Sequence, residues 1–454
     1  CRRENISEIS GSSEPHILVP TFLFKKNCGF PENCKSGLHK NSPKVDSTKK
    51  ALPQKNFDNV GKNSKNTDNI QNTVFDRDMI SFFLFFTLAT ALLDPLECTD
   101  SSKSGYLYPR KSANPADGSG IFYWMFPSRS NPADDPTVIW MQGGPGASSL
   151  LGAFYEQGPC LMQPDGTLAP NQFGWNRAAN LIYIDQPVGT GFSFAANGTQ
   201  SMVGDMSEMA HDMVQTILLL LQRFPQLQKN PLVLAGESYA GRYIPFLATA
   251  ITAHNEGLRT KNKLSNLIPL TTLFINDPWT NPAKIVSTYA NFSLAHGIIS
   301  PADVQALNAN MSLFNEAMAE QRYDDATDIE HAMEHYIEAV SGVSAYDIRK
   351  YTSDDYSGLD RLLSSESARE RLGVGNHTWQ LSNDAVNAKL HADISQPTSG
   401  SGMVGKLLDT YRVVIYNGNY DLDCNIWGTL KWLLDVKWSG AQAFAEASKQ
   451  RRKW

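Results

Sequence analysis

Leu232-Val233-Leu234-Ala235-Gly236-Glu237-Ser238-Tyr239-Ala240-Gly241 is the stretch on which the reading of the fold turns. A β-prone apolar run enters it and a helical pattern leaves it, with Ser238 at the turn. A serine on so sharp a turn needs small neighbours, because the backbone must double back while the hydroxyl is lifted above the sheet. Gly236 and Ala240 supply them, and Gly241 follows. The pattern is short enough to arise by chance; the strand before it and the helix after it give it weight as a candidate nucleophile elbow.

Working outward, further apolar runs at Thr137–Met141, Leu181–Ile184, Leu273–Ile275 and Val413–Tyr416 are bounded by Gly, Pro, Asn or Asp. Helical stretches such as Met202–Phe224 and Tyr243–His254 separate several of them. Short buried strands alternating with helices predict an α/β fold with a parallel sheet. From about Asn281 to Gly405 this rhythm stops, and the chain reads as polar and helical, as in Glu316–Val340. That segment is expected to be an insertion over the sheet.

The run Thr137–Met141 leads into Gln142-Gly143-Gly144-Pro145-Gly146-Ala147-Ser148-Ser149. Adjacent glycines at a strand end leave backbone N–H groups free to face an oxyanion. Taken together, Trp140–Ser149, Glu156-Gln157-Gly158-Pro159, Asn180–Phe194 and Gly236–Gly241 closely resemble the serine carboxypeptidases. Ile275-Asn276-Asp277-Pro278-Trp279, Tyr346-Asp347-Ile348-Arg349 and Tyr416-Asn417-Gly418 extend the resemblance, which runs from about Tyr106 to Trp454. Gln142, where Asn is commoner, is more similar to the vitellogenic or retinoid-inducible branch.

The resemblance implies an α/β-hydrolase fold with a helical cap. It also implies removal of C-terminal residues from peptides through an acyl-enzyme, without metal or organic cofactor. Ser238 would be the nucleophile, and the N–H groups of Gly144 and Tyr239 the oxyanion hole. Gln142, Gly143 and Glu237 would hold the substrate's terminal carboxylate, with Glu156 behind Glu237. The last assignment has independent chemical sense: a carboxylate binds beside another carboxylate only when a proton is shared, which favours acidic pH. The relatives' cysteine beside the oxyanion loop is Ala147 here, so the disulfide it would make is absent.

Tyr411–Cys424 reads as a strand ending in an acidic loop, where an α/β hydrolase carries its triad acid. The resemblance assigns Asp421 to that role, with Asp423 the second choice and Cys424 near the substrate pocket or simply in the core. In this fold the base follows the acid. All nine histidines, from His16 to His391, precede Asp421. The expectation is therefore that the last strand and the histidine loop are missing from residues 1–454, and that this chain alone is inactive and poorly soluble. His211 and His296 are the conceivable substitutes, though neither stands on a loop at the C-terminal end of a strand.

Residues 1–78 are rich in Asn, Lys and Ser and hold 13 Lys+Arg against 9 Asp+Glu, leaving 27 against 37 for the remainder. The first stretch is expected to be disordered or untranslated. Residues 79–91, with the apolar block from Ile80 and the small-residue site Ala89-Thr90-Ala91, read as a signal peptide too short to span a bilayer. Residues 92–280 would form the first part of the core, 281–405 the cap and 406–454 the remainder. Sequons at Asn197, Asn291, Asn310 and Asn376 fit a secretory route to a lysosome, vacuole or the exterior. The acidic body argues against nucleic acid, and the six cysteines contain no CxxC pair. The expected partners are peptides with a free C-terminus; a homodimer is possible. The rival functions are acyl transfer to an alcohol, a non-enzymatic binding or protective protein, and a generic lipase.

Overall fold

The computed structural model describes residues 97–99, 101–111, 118–352, 354–398 and 402–448. The expected leader at 1–78 and signal peptide at 79–91 lie outside them.

The described chain is built on a seven-stranded sheet in the order β1-β2-β6-β3-β7-β8-β9. Its strands are β1 (Lys103–Leu107), β2 (Ile121–Phe126), β3 (Thr137–Met141), β6 (Asn180–Asp185), β7 (Leu232–Ser238), β8 (Leu270–Pro278) and β9 (Arg412–Tyr416). β4 (Cys160–Met162) and β5 (Leu168–Pro170) form a separate antiparallel pair. β2 runs antiparallel to β1 and β6, and the other pairings, from β6 through β9, are parallel. This is an α/β-hydrolase sheet with β9 at one edge of the described strands.

The continuous apolar runs follow from burial on both faces. Strand side chains alternate, so a sheet covered on both sides needs apolar residues at every position. Ile121, Tyr123 and Met125 join one core cluster, with Ile139, Met141, Ile182 and Ile184. Their neighbours Phe122, Trp124 and Phe126 join the other, with Val138, Trp140, Leu181 and Tyr183.

On the first face lie α2 (Met206–Arg223) and α3 (Ala240–Thr260), α1 being the short Leu150–Tyr155. α2 begins where Asp205 accepts hydrogen bonds from Ser207 N (2.7 Å) and Glu208 N (2.9 Å), satisfying orphan donors of the first turn. α3 starts directly after the Ser238 turn and contains Pro245. Proline cannot donate to the carbonyl four residues back; here Gly241 O accepts instead from Thr280 Oγ1 at 2.9 Å.

Between β8 and β9 the described chain is helical without strands. The longest pieces are α4 (Pro301–Ala319) and α5 (Tyr323–Ser341). The helix Met403–Thr410 crosses the boundary expected at residue 405, and its Val404, Leu407 and Leu408 pack in the core beneath the sheet. No helix among the described residues is long and apolar enough to cross a membrane.

Candidate active site

In a parallel α/β sheet the chain leaves every strand at the same edge, and ligands bind there. Gln142–Gly144 follow β3, Ser238 ends β7, Asp277 lies at the end of β8, and Asp421 follows β9. Gln142, Gly143, Gly144, Glu237, Ser238, Tyr239, Asp277, Asp421 and Asp423 all line one cavity of about 470 Å³, with Glu330, His331 and Glu334 of α5 on its far wall.

Ser238 has φ +57°, a left-handed conformation that a residue bearing a Cβ adopts only when its surroundings enforce it. The enforcement comes from small residues. A Cβ on Gly236 would sit 2.2 Å from Met141 O and 2.7 Å from Ala240 Cβ. One on Gly241 would lie 2.7 Å from Trp279 N, and Trp279 N in turn donates to Ser238 O at 2.9 Å. The buried Cys424 lines the same cavity as Ser238.

The glycine loop after β3 lies against this turn: a Cβ on Gly143 would be 2.6 Å from Tyr239 N and 2.8 Å from Ser238 Cβ. Gly144 follows at φ +107°. Asp185, at the end of β6, anchors the loop. Its Oδ1 accepts from Ser148 Oγ (2.7 Å) and Ser149 N (2.9 Å), and its Oδ2 from Phe192 N (2.9 Å). Burial pushes the Asp185 carboxyl up to about 6 against these hydrogen bonds. A Cβ on Gly191 would meet its Oδ2 at 2.0 Å, so this approach requires glycine.

Glu156 and Glu237 form a half-buried, hydrogen-bonded carboxyl pair, in which two charges would repel unless a proton is shared. Burial first, then the Glu237 charge, holds Glu156 well above the usual carboxylate range; burial raises Glu237 too. Gln142 Nε2 donates to Glu237 Oε1 and, at 3.5 Å, to Glu156 Oε1. Gln142 is itself fixed by Trp140 Nε1, which donates to its Oε1 at 2.9 Å. Asn276 Nδ2 donates to Glu237 Oε2 at 3.0 Å.

Asp421 Oδ1 accepts from Cys424 N at 3.0 Å, and the Asp421 side chain is hydrogen-bonded to Asp277. Asp423 points elsewhere, to Tyr289 Oη, whose one hydrogen is shared between Asp423 Oδ1 at 3.2 Å and Glu330 Oε1 at 3.0 Å. One carboxylate oxygen each of Glu330, Glu334 and Asp423 lies within 4.8 Å of the others. Burial and mutual repulsion raise Glu330 to about 8 and Glu334 to about 10, and burial raises Asp423 to about 6.

The two histidines considered as substitute bases are not part of this cavity. His211 is exposed on α2, and His296 Nδ1 contacts Phe292 O at 2.9 Å while its ring packs on Phe292. Among the described residues His331 is the imidazole that lines the cavity, 3.6 Å from Glu330 Oε2. Asn197, Asn291 and Asn376 are exposed and Asn310 is half-buried.

Sequence reading missed Asp185, Asp277 and His331 as groups of the site. It also missed the disulfide Cys98–Cys160, which ties the segment before β1 to β4 across 62 residues. No spacing rule could have paired those two cysteines among six.

The profile of the family described as serine carboxypeptidase matches residues 95–453. This chain belongs to the serine carboxypeptidase family. Serine carboxypeptidase-like 48 of Arabidopsis thaliana is 34% identical over 341 residues, covering 72% of this chain and 65% of that protein. The chain thus spans just under two thirds of that relative. The probable serine carboxypeptidase CPVL of Homo sapiens is 30% identical over 359 residues, covering 77% and 72%. The crystal structure of Kex1(delta)p, a prohormone-processing carboxypeptidase from Saccharomyces cerevisiae, superposes with a TM-score of 0.66 at 25% identity, covering 77% of this chain and 80% of that one.

Proposed function

We propose that this member of the serine carboxypeptidase family hydrolyses the last peptide bond of peptides at acidic pH through an acyl-enzyme. The observation that carries the reading is that Ser238, at its strained turn, opens on the same cavity as Gln142 and Glu237. Ser238 would attack the last carbonyl. The N–H groups of Gly144 and Tyr239 would receive the oxyanion, and Gln142, Gly143 and Glu237, backed by Glu156, the terminal carboxylate. Asp421 is preferred to Asp423 as the triad acid because Cys424 N and Asp277 orient it, whereas Asp423 is engaged by Tyr289.

All nine histidines precede Asp421, against the Ser–Asp–His order of this fold, so residues 1–454 by themselves are expected to turn over negligibly for want of a base in its usual place. Normal turnover by them would transfer the role to His331. A secretory route is supported by the Cys98–Cys160 disulfide and by the surface positions of the sequons.

The direct test compares matched peptides bearing a free C-terminus with the same peptides amidated, the products being read by mass spectrometry. Stepwise loss from free C-termini, with the amides resistant, is expected; equal cleavage of both, or internal cleavage, would sink the reading. The same series tests charge. Six carboxyl groups line the cavity against one imidazole, but burial keeps Asp277, Glu330 and Glu334 neutral at acidic pH, so the field comes to favour cations only as pH rises. Peptides with Arg in the last two positions are expected to gain in kcat/KM over their Glu counterparts as pH rises through about 7 to 8, less so at high salt.

The pH dependence of binding should follow the Glu156–Glu237 proton. Both carboxyls are raised, so the proton is held under acidic conditions and binding of a terminal carboxylate weakens as pH climbs through the raised values. Glu156→Gln replaces the proton-sharing partner with an amide that stabilises ionised Glu237. Titration calorimetry of a free-C-terminus peptide across about pH 4 to 8 should show the loss of binding about one pH unit lower in the variant. An unchanged profile would remove the pair from the binding reaction.

A further inference from the structure

Trp379, Leu381, Ser382 and Asn383 belong to a short non-helical stretch of the insertion between β8 and β9, and this stretch lies against the glycine loop that follows β3. Ala147 of the loop faces Ser382 in an isolated antiparallel bridge. Ser148 N donates to Leu381 O at 2.8 Å, and Asn383 N to Gly146 O at 3.1 Å. Asn383 Nδ2 reaches on to Gly189 O at 2.7 Å, in the loop after β6. Val386 fills the angle between the two loops: a Cβ on Gly146 would lie 3.1 Å from its Cβ, and one on Gly189 3.1 Å from its Cγ2.

The side chains add a second, buried line of contacts. Trp379 Nε1 donates to Ser148 Oγ at 2.9 Å. The Ser148 hydroxyl has one hydrogen, which goes to Asp185 Oδ1 at 2.7 Å. Asp185 in turn anchors the glycine loop through Ser149 N and the loop after β6 through Phe192 N. Ser148 and Asp185 are fully buried and Trp379 nearly so. Away from water, a hydroxyl that accepts one hydrogen bond donates a stronger one. The indole N–H thus fixes the orientation of Ser148 and strengthens its hold on Asp185. Ring burial alone would ask only for an apolar residue at 379, since Trp379 packs in the cluster that holds Trp140 and Phe154.

We propose that Trp379 is a positioning residue of the oxyanion hole: its indole N–H holds Ser148 and thereby Asp185, so that the insertion clamps the loop presenting Gly144 N–H against the Ser238 turn. The oxyanion role of that loop rests on the carboxypeptidase reading; the clamp rests on the contacts alone. Leu381 and Ser382 line the cavity together with Ser238, so a peptide held there touches the clamp itself.

Trp379→Phe keeps an aromatic ring in the cluster and removes the N–H. Ser148→Ala removes the hydroxyl and keeps the indole. Ala147→Cys with Ser382→Cys puts a thiol on each side of the bridge, where facing Cα atoms lie about 4.5–5.5 Å apart and a disulfide can close. The test measures amide hydrogen exchange of residues 143–149 by mass spectrometry in this chain, and kcat and KM in a form that turns over.

In W379F, residues 143–149 should exchange at least about tenfold faster, with β3 and β7 unchanged. Its kcat should fall at least about tenfold with KM held within about threefold, because a misplaced oxyanion donor weakens the transition state and not the bound peptide. W379F/S148A should match S148A within about twofold, since both act through one hydroxyl. The cross-link should return slow exchange and most of kcat to W379F. Unchanged exchange of residues 143–149 in W379F would overturn the clamp, as would a rise spread evenly over the sheet, the mark of a core residue only. Additive effects of W379F and S148A would overturn the link through Ser148. Unchanged kcat in an active W379F would overturn the positioning role. Should W379F fail to fold, S148A gives the same local test, and unchanged exchange there overturns the clamp. If no form of the enzyme cleaves free-C-terminus peptides while exchange and cross-link behave as expected, the clamp stands and the carboxypeptidase reading falls.

Discussion

Asp393→Ala is expected to lower the folding free energy by about 3–5 kcal/mol, because it strands a buried guanidinium. Arg242 lies on α3, four residues beyond Ser238, with a side chain 1% exposed. Its Nη2 pairs with Asp393, and its Nη1 donates to Thr398 Oγ1 at 2.9 Å and to Gln396 O. Trp279 Nε1 donates to Ile394 O at 2.8 Å, and Thr398 N to Thr280 O at 3.1 Å. This short segment is therefore stitched both to the nucleophile's helix and to the turn beyond β8.

Arg242 cannot shed its proton to escape burial, so removal of Asp393 leaves its charge uncompensated. Calorimetry should show a fall in melting temperature of about 5–15 °C. Replacing the pair together, as Arg242→Met with Asp393→Leu, should recover much of the loss, since a buried ion pair is often no better than apolar residues of the same volume. A single variant that melts like the wild type would mean that the segment 393–398 does not hold this geometry. Activity should fall with stability, because the same contacts brace the first turn of the helix that presents Ser238.

Ser238→Ala is expected to have the largest kinetic effect: a loss of about 10⁶-fold in kcat wherever the unmodified protein turns over, with binding of a free-C-terminus peptide retained within a few-fold. Retention is expected because the groups proposed to hold the carboxylate, Gln142 and Glu237, are fixed by Trp140, Asn276 and Glu156 rather than by the hydroxyl. Burst kinetics with an activated ester would report the acyl-enzyme in the parent and its absence in the variant. Substantial turnover by S238A would remove this serine as nucleophile. A parallel loss of binding would show that the change had disturbed the turn instead.

Much of the frame was legible because local rules converge in it. Leu232–Ala235 had to be a strand, being apolar, short and bounded by glycine. Gly236, Ala240 and Gly241 announced a turn too tight for larger residues, and the contacts a Cβ would make at both glycines give the reason. Burial of both sheet faces left the unbroken apolar runs of β3 and β6. Less legible were β1 and the β4–β5 pair, whose partly exposed, short runs carry too little apolar signal to stand out from loops.

Within the site, the sequence by itself determined which residues stand at strand ends: Gln142, Ser238 and the acids after Tyr416 can be counted off from their apolar runs. Their resemblance to one family then assigned roles. Tertiary structure alone decided which charges meet. Asp277 reaches Asp421 across 144 positions because β8 and β9 are neighbours in the sheet. Glu330 and Glu334 face Asp423 because α5 folds back over the strand ends. Cys98 finds Cys160 for the same kind of reason. Strand and turn propensities act over a few residues and leave marks in local composition. The energy of a shared proton, a buried ion pair or a disulfide depends on distances in space, and no local pattern along the chain records those.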